Sequence, residues 1–410
     1  MANRMTNKMA HSKYDIVIVG GGISGLYVAR ELVKKDPKSS IVILEKYNTI
    51  GGRTLTYNKD NHHWENGAGR VRKSHKLVMN LLKEYGLTWI PIGDETEYVD
   101  KERVRNIFNE VFVPLYIHPL KQLSPDVLAN HTVEQLLQKT LGYTKAANVL
   151  GYFPYSAEVN TLRADLGIKA FDNEMGSNSG YGIIKEGFSE LINRMRKELE
   201  DSGVKFLTKH TLLDIQENTL IVDSGKSHPI HISAKTYILA LHRDAVAKLP
   251  VLSKWKTLKY LKMKPLLRTY AVFDTPWFSG MKSMVTPQRP RYIIPINDKV
   301  IMISYTDGDD SNAYRKILRL GEKHLEKAIL SDIRRLFPDI KIPDPVFFKA
   351  HPWDSGCTYW LPGSYDPEEE SKKACHPLPN VWLCGESWSM KQAWVEGALE
   401  HAETLLSVLE

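Results

Sequence analysis

The sequence predicts an α/β chain in which a parallel-sheet layer, assembled from both chain ends, is interleaved with an α+β region built on a mixed sheet. Three observations predict it. The run Tyr14–Val19 is apolar and rich in β-branched residues, as in a strand buried on both faces, and glycines and helical spacing follow it at once. The end of the chain repeats that grammar, with a strand at Val381 to Cys384, then Gly385-Glu386, then a helix from about Gln392 to Leu409. Between them, Thr269–Phe273, Arg291–Ile296 and Val300–Tyr305 alternate or run apolar and read as a second sheet.

Taken in order, Leu26, Ala29, Leu32 and Val33 recur at helical spacing after the first strand, and a second buried strand, Ile41–Leu44, closes a βαβ unit. Leu77, Val78, Leu81, Leu82 and Tyr85 mark an amphipathic helix over Ser74–Gly86, with Gly86 placed to stop it. The middle reads as mostly helical. A helix at Phe188–Leu199 precedes strands at Val204–Leu207, Leu212–Ile215 and Thr236–Leu241. The first layer is therefore expected over 1–72, 200–250 and 375–410, and the second region over 73–199 and 251–374.

Composition narrows the function classes. At 410 residues, 42% hydrophobic and 25% charged, the chain has the make-up of a soluble enzyme with two or three cores. No apolar run approaches the roughly 18–20 residues that cross a bilayer, and Met1–Lys13 has no apolar leader segment, so neither a membrane span nor secretion is expected. Three cysteines without CxxC spacing suit a reducing cytoplasm and argue against a structural metal. A net charge of +7, scattered rather than clustered, gives no nucleic-acid surface.

The chemistry starts at Gly20-Gly-Gly-Ile-Ser-Gly25. Three glycines at this spacing match by chance about 0.1 times in such a chain, so context must carry them. Here they join a buried strand to a helix. Gly20 permits the turn, Gly22 lets backbone approach a pyrophosphate, Gly25 lets helix pack on strand, and Ser24 lies within the turn at a helix N-terminus that favours anions. Glu45, at the end of the second strand, is placed to accept hydrogen bonds from an adenosine ribose, with Lys46 beside it. Gly51-Gly52-Arg53 adds a second close-approach doublet and a guanidinium suited to phosphates.

The pattern G-x-G-x-x-G-x-x-x-A-x-x-L followed by E-x5-G-G-R resembles the opening of the flavin-containing amine oxidases. Asn380–Ser387 and Gln392–Glu400 resemble that family's closing motif. The resemblance implies a Rossmann-like, glutathione-reductase-like FAD-binding domain beside a substrate domain. By the same resemblance Gly385 and Glu386 lie along the pyrophosphate and ribityl chain. Trp394 and Val395 lead a helix whose N-terminus faces the flavin pyrimidine edge, Leu212 meets adenine through its backbone, and Ala68-Gly69-Arg70 borders the cofactor. FAD is expected to be non-covalent. Cys357 resembles the position of the flavin-linked cysteine of monoamine oxidases in a shorter loop, which leaves a thioether as the alternative.

On the substrate side, Glu65-Asn-Gly-Ala-Gly-Arg70 most resembles L-amino-acid oxidases, where the arginine grips the substrate carboxylate. Arg70 reads either so or as a partner of Glu65 or a phosphate. Trp394 reads as one aromatic wall before the flavin and Tyr359 or Trp360 as the other, against the alternative that all three are core aromatics. Arg268 stands where the family places a lysine that holds water near flavin N5, so it serves either that water or a salt bridge. The tyrosine that helps hold the carboxylate in amino-acid oxidases finds no match, since Arg291–Pro295 offers isoleucines with Tyr292 adjacent.

The expectation is an FAD-dependent oxidase of a small primary amine, foremost an L-amino acid, with molecular oxygen as second substrate and hydrogen peroxide as product. The catalytic candidates are Arg70, Arg268, Trp394 and Tyr359. A monoamine or polyamine oxidase, a desaturase, an isomerase or a redox-silent flavoprotein are the alternatives, and a homodimer is left open. His242-Arg-Asp244 reads as a strand end rather than kinase chemistry, Gly385–Ser389 as no nucleophile elbow, Asn130-His-Thr132 as an unused sequon, and Asp307, Asp309 and Asp310 as a solvated turn.

Overall fold

The computed structural model describes residues 12–93, 95–100, 103–172 and 180–409. The leader reading of Met1–Lys13 therefore falls, up to residue 11, outside the described residues. The elements that position the site are, in order, β1 (Ser12–Val19), α1 (Ile23–Lys35), β2 (Ile41–Glu45), α2 (Lys76–Glu84), α3 (Phe188–Asp201), β3 (Lys205–Thr208), β4 (Thr211–Gln216), β5 (Thr219–Asp223), β6 (Ile230–Leu239), β7 (Leu261–Val272), β8 (Val300–Asp307), β9 (Phe347–Trp360), β10 (Val381–Leu383) and α4 (Val395–Val408).

One sheet runs β3-β2-β1-β6-β5-β4, with β10 on β6. The β3–β2, β2–β1, β1–β6 and β6–β10 pairs are parallel, and β4 and β5 form an antiparallel flap. Residues 17 and 18 of β1 and 42 to 44 of β2 have no exposed surface, which explains the unbroken apolar runs: helices cover one face and the flap side the other. Both chain ends meet on β6, where Val17 pairs with Tyr237 and Tyr237 with Val381.

The second sheet runs β9-β7-β8, then Tyr292–Pro295, Ser283–Val285, Thr96–Val99 and Arg103–Arg105. It is antiparallel except between Ser283–Val285 and Thr96–Val99, and so is mixed. The helix Glu322–Leu336 packs Leu325, Ile329, Leu330 and Ile333 on one face, and a helical region from Phe108 to Phe171 packs Phe112, Phe153 and Phe171 with the other. The fold is thus α/β, a Rossmann-like layer interleaved with a mixed-sheet domain. Among the described residues no helix is long and apolar enough to cross a membrane.

Several expectations change. Helices α2 and α3 bury Val78, Leu81, Leu82, Leu191, Ile192 and Met195 in the same core as α1 and α4, so the two ends of 73–199 pack on the first layer while its middle packs on the second sheet. Helix α4 starts at Val395 because Ala393 takes φ 66° and Trp394 is extended. The 14-residue β9 escaped the sequence reading because Pro352 and Gly356 interrupt its pattern; it is an edge strand, where a proline costs no ladder bond. His242-Arg-Asp244 opens a short helix, with His242 Nδ1 accepting from Ala245 N at 3.3 Å. Asp307 is not solvated: it is 2% exposed and accepts from Ser156 N, Ser156 Oγ and Ala157 N at 2.7–2.8 Å. Asp309 and Asp310 lie in the first helical turn beyond it, where acids suit the dipole.

Candidate active site

The glycine signature forms a cradle at the carboxyl end of β1, in the middle of the sheet. Gly20 takes φ 110°, and a Cβ on it would meet the Ala240 carbonyl at 2.4 Å. A Cβ on Gly25 would stand 2.1 Å from the Gly20 carbonyl, so both positions need glycine for the protein's own packing. Gly22 differs. Its φ of −77° suits any residue, and a Cβ there would meet nothing within 4 Å. Gly22 caps α1 with no side-chain hydrogen bond, leaving the helix N-terminus open beside that space. A glycine held where the protein leaves room, at an uncapped helix start, fits the approach of a pyrophosphate.

Around this cradle the signatures converge. Gly51 N donates to Gly21 O at 2.8 Å, and Gly52, at φ 59°, has its Cβ direction 3.6 Å from Gly22 Cα. Glu45 is 7% exposed and accepts from Gly21 N and Tyr47 N, both at 2.9 Å, which fixes the carboxylate and leaves a lone pair on each oxygen. Lys46 is exposed, its ammonium 5.5 Å from the Tyr47 ring. From the far end of the chain, Gly385 (φ 130°) has its Cβ direction 3.7 Å from Ser24 Oγ, and Ser24 Oγ donates to Ala398 O at 3.4 Å.

Arg53 joins the two signatures, donating to Glu386 Oε2 at 2.9 Å and to Gly356 O at 2.7 Å. Glu386 is 6% exposed and also accepts from Thr358 N and Ala393 N, so its carboxylate braces the loop before α4. Val395 opens α4, and Ala68 N donates to Arg53 O at 2.8 Å. Leu212, 9% exposed, lies on β4 opposite Val222, at the bulge next to the strand end that carries Glu45.

A cavity of about 530 Å³ opens beside the second sheet, lined by Glu65, Gly69, Arg70, Arg268 and a set of aromatic rings. Arg70 donates to Tyr155 Oη. Its Cζ lies 5.3 Å from the Tyr181 ring centre and 5.7 Å from that of Tyr292, so tyrosines hold the guanidinium on several sides. Among the described residues no carboxylate comes within ion-pair distance of Arg70 or Arg268, taken as 4.0 Å. Neither a Glu65 pairing for Arg70 nor a salt bridge for Arg268 is therefore found. Arg268 lies against Gly69, where a Cβ would stand 2.9 Å from Nη1. Burial pushes the Glu65 carboxyl up to about 7, although Phe188 N and Thr56 Oγ1 donate to it.

The aromatic candidates separate. Trp394 stacks on Tyr181 at 6.1 Å and 21° and meets His75 edge-on at 5.0 Å, behind a ring that lines the cavity. Tyr359 is 3% exposed and Trp360 fully buried in the core beside Trp388, and neither lines the cavity. The slot that Tyr359 was expected to wall is instead walled by Tyr155, Tyr181, Tyr292 and Tyr305. Cys357 is half-buried, and burial pushes its thiol well above the ordinary range. Among the described residues no cluster of three or more His, Cys, Asp or Glu could hold a metal.

Tyr155 was invisible to the sequence because it sits in the helix-rich middle, where nothing marked it as facing a site. Tyr292 was weighed and set aside for want of a matching register. Glu396 carried a visible signal, an acid in the first turn of a helix. Its carboxylate accepts from Leu77 N and Val78 N of α2, both at 3.0 Å.

The family described as "Flavin containing amine oxidoreductase" matches residues 23–404. An L-amino acid oxidase of Cerastes cerastes is 21% identical over 95% of this chain and 85% of its own length. The flavin-containing amine oxidase B of Mus musculus is 21% identical over 96% of this chain and 85% of its own length. Among solved structures, a putrescine oxidase bound to putrescine superposes with a TM-score of 0.75 at 16% identity, covering 97% of this chain and 99% of that chain, which is a likeness of fold. The chain belongs to the flavin-containing amine oxidoreductase family.

Proposed function

We propose that this protein is an FAD-dependent oxidase of L-amino acids, converting the C–N bond of the substrate to an imine that hydrolyses to a keto acid and ammonia, with oxygen reduced to hydrogen peroxide. The observation that carries the reading is Arg70, a guanidinium on the cavity wall whose partners are a phenol and ring faces and whose charge no described carboxylate answers. A planar fork of donors held in that way suits a carboxylate. The relatives named above include an L-amino acid oxidase, which supports the substrate class.

When bound, FAD supplies the electron sink that takes a hydride from the substrate carbon and passes the electrons to oxygen. The chain's own residues do the positioning. Gly22, the N-terminus of α1 and Glu45 receive the nucleotide end, while Arg53 and Glu386 tie both chain ends around it. Tyr155 steadies Arg70, which fixes the carboxylate. The tyrosine walls keep water from the amine and favour its neutral form, which loses hydride more readily. The three cysteines are free, which supports a cytoplasmic setting.

Arg70→Ala tests the assignment. It is expected to raise KM for amino acids by about a hundredfold, roughly the worth of a lost charge-assisted pair, and to leave KM for the decarboxylated amines within a few-fold. Equal losses on both series would overturn it. A second reading, an amine oxidase without carboxylate recognition, draws on Glu65. It lines the same cavity and, with its carboxyl pushed up to about 7, can carry charge toward an ammonium group. In that case amines outrun amino acids, and Glu65→Gln is the damaging change.

A further inference from the structure

Two guanidiniums face the cavity, and the reading above uses one. Arg268 lies in the middle of β7, opposite Tyr305 of β8 and His351 of β9. Its Cζ sits 4.4 Å from the Tyr305 ring centre, its Nη1 reaches the Glu65 carbonyl only at 3.5 Å, and its buried Nε has no hydrogen-bond partner. The Tyr270 and Tyr305 phenols lie beside it. Every one of these neighbours is neutral, as are those of Arg70.

The nearest acids do not supply the missing charge. Burial pushes the Glu65 carboxyl up to about 7, and burial together with Asp307 pushes that of Glu158 up to about 8, and neither carboxylate lies within ion-pair distance of Arg70 or Arg268. Two like charges on the wall of one aromatic cavity are unfavourable unless an anion answers them. Each guanidinium has a phenol of its own against it. Tyr155, bonded to Arg70, and Tyr305, under Arg268, meet edge-on with ring centres 5.2 Å apart.

We infer that Arg268 receives a second acid group, so that the substrate is an acidic L-amino acid: Arg70 takes the α-carboxylate and Arg268 the carboxylate that ends the side chain. The inference rests on the amino-acid reading and adds the side chain to it. The orphaned Nε and the ends of the guanidinium provide the donors, and the phenols on either side keep the fork oriented.

The test uses the flavin-loaded enzyme under anaerobic conditions with L-glutamate and L-aspartate against their amides, L-glutamine and L-asparagine. The acids are expected to bleach the flavin with kcat/KM at least about tenfold above the amides, and Arg268→Gln to lower that acid-to-amide ratio by about tenfold or more. Amides as good as acids, or a ratio that Arg268→Gln leaves unchanged, would overturn the inference. Bleaching by neutral amino acids without acid preference removes this inference alone, whereas bleaching by amines only removes the amino-acid reading as well. Should Arg268→Gln fail to fold, inhibition of the wild-type enzyme decides. Glutarate is expected to compete at least about tenfold more tightly than its monoamide, and equal inhibition contradicts the assignment.

Discussion

At Gly22 the protein leaves room that its own atoms do not fill, while at Gly20 and Gly25 it leaves none. The three glycines of one motif therefore do different work, and substitution separates them. Gly22→Ala keeps the fold, at a cost of about 1 kcal/mol or less for a poorer helix cap, but places a methyl group in the cofactor's path. Its Kd for FAD, read by titrating apoprotein, is expected to rise about tenfold or more, which corresponds to about 1.4 kcal/mol. Unchanged FAD affinity would refute the cradle. Gly25→Ala instead drives a Cβ into a backbone carbonyl and is expected to unfold the protein or lower Tm sharply before any effect on binding is measurable. This part of the site was legible in the sequence because the three glycines sit at fixed spacing between one buried strand and one helix. The tyrosine cage around Arg70 was not, because Tyr155, Tyr181 and Tyr292 come from three distant segments, and only tertiary packing brings them together.

Among the elements, α4 and α2 are coupled through one carboxylate. Glu396 sits in the first turn of α4, where the dipole favours an acid, and its oxygens accept the first free N–H groups of α2. One side chain thus serves two helix N-termini, and through α2 it fixes His75 against Trp394. Glu396→Ala is expected to cost about 1–2 kcal/mol, visible as a lower urea midpoint, since it strips the cap from a buried helix start. A midpoint equal to wild type would show that the cap carries no weight. The helices themselves were readable from 3.6-residue spacing, and the parallel strands from unbroken apolar runs. Strand β9 was not: Pro352 and Gly356 break its pattern, and only its edge position makes the proline tolerable. The start of α4 was misjudged because Ala393 takes a left-handed conformation that no residue type announces.

For the molecule as a whole, both chain ends are needed to complete one binding layer, and histidines buried in it make stability depend on pH. His401, 2% exposed in α4, contacts Ser371 O through Nε2 at 3.1 Å, and burial lowers its pKa to about 4. Its folded pKa lies below the unfolded value of about 6.5, so the unfolded chain binds the proton first as pH falls. Its contribution is present above pH 6.5 and is lost between there and about 4. The slope is at most about 1.4 kcal/mol per pH unit. Over this window Tm is expected to fall less in His401→Gln than in wild type, and parallel curves would contradict the assignment. Interleaving also brings α2 and α3, from the middle of the chain, against α1 and α4. The central claim is that this layer holds FAD beside a cavity whose arginine receives a carboxylate. Anaerobic titration of the purified yellow protein with matched pairs of an L-amino acid and its decarboxylated amine tests it most directly. The account predicts that the amino acid bleaches the flavin and the amine does so poorly. A protein without flavin absorbance, or one bleached by the amines and indifferent to the amino acids, would contradict it.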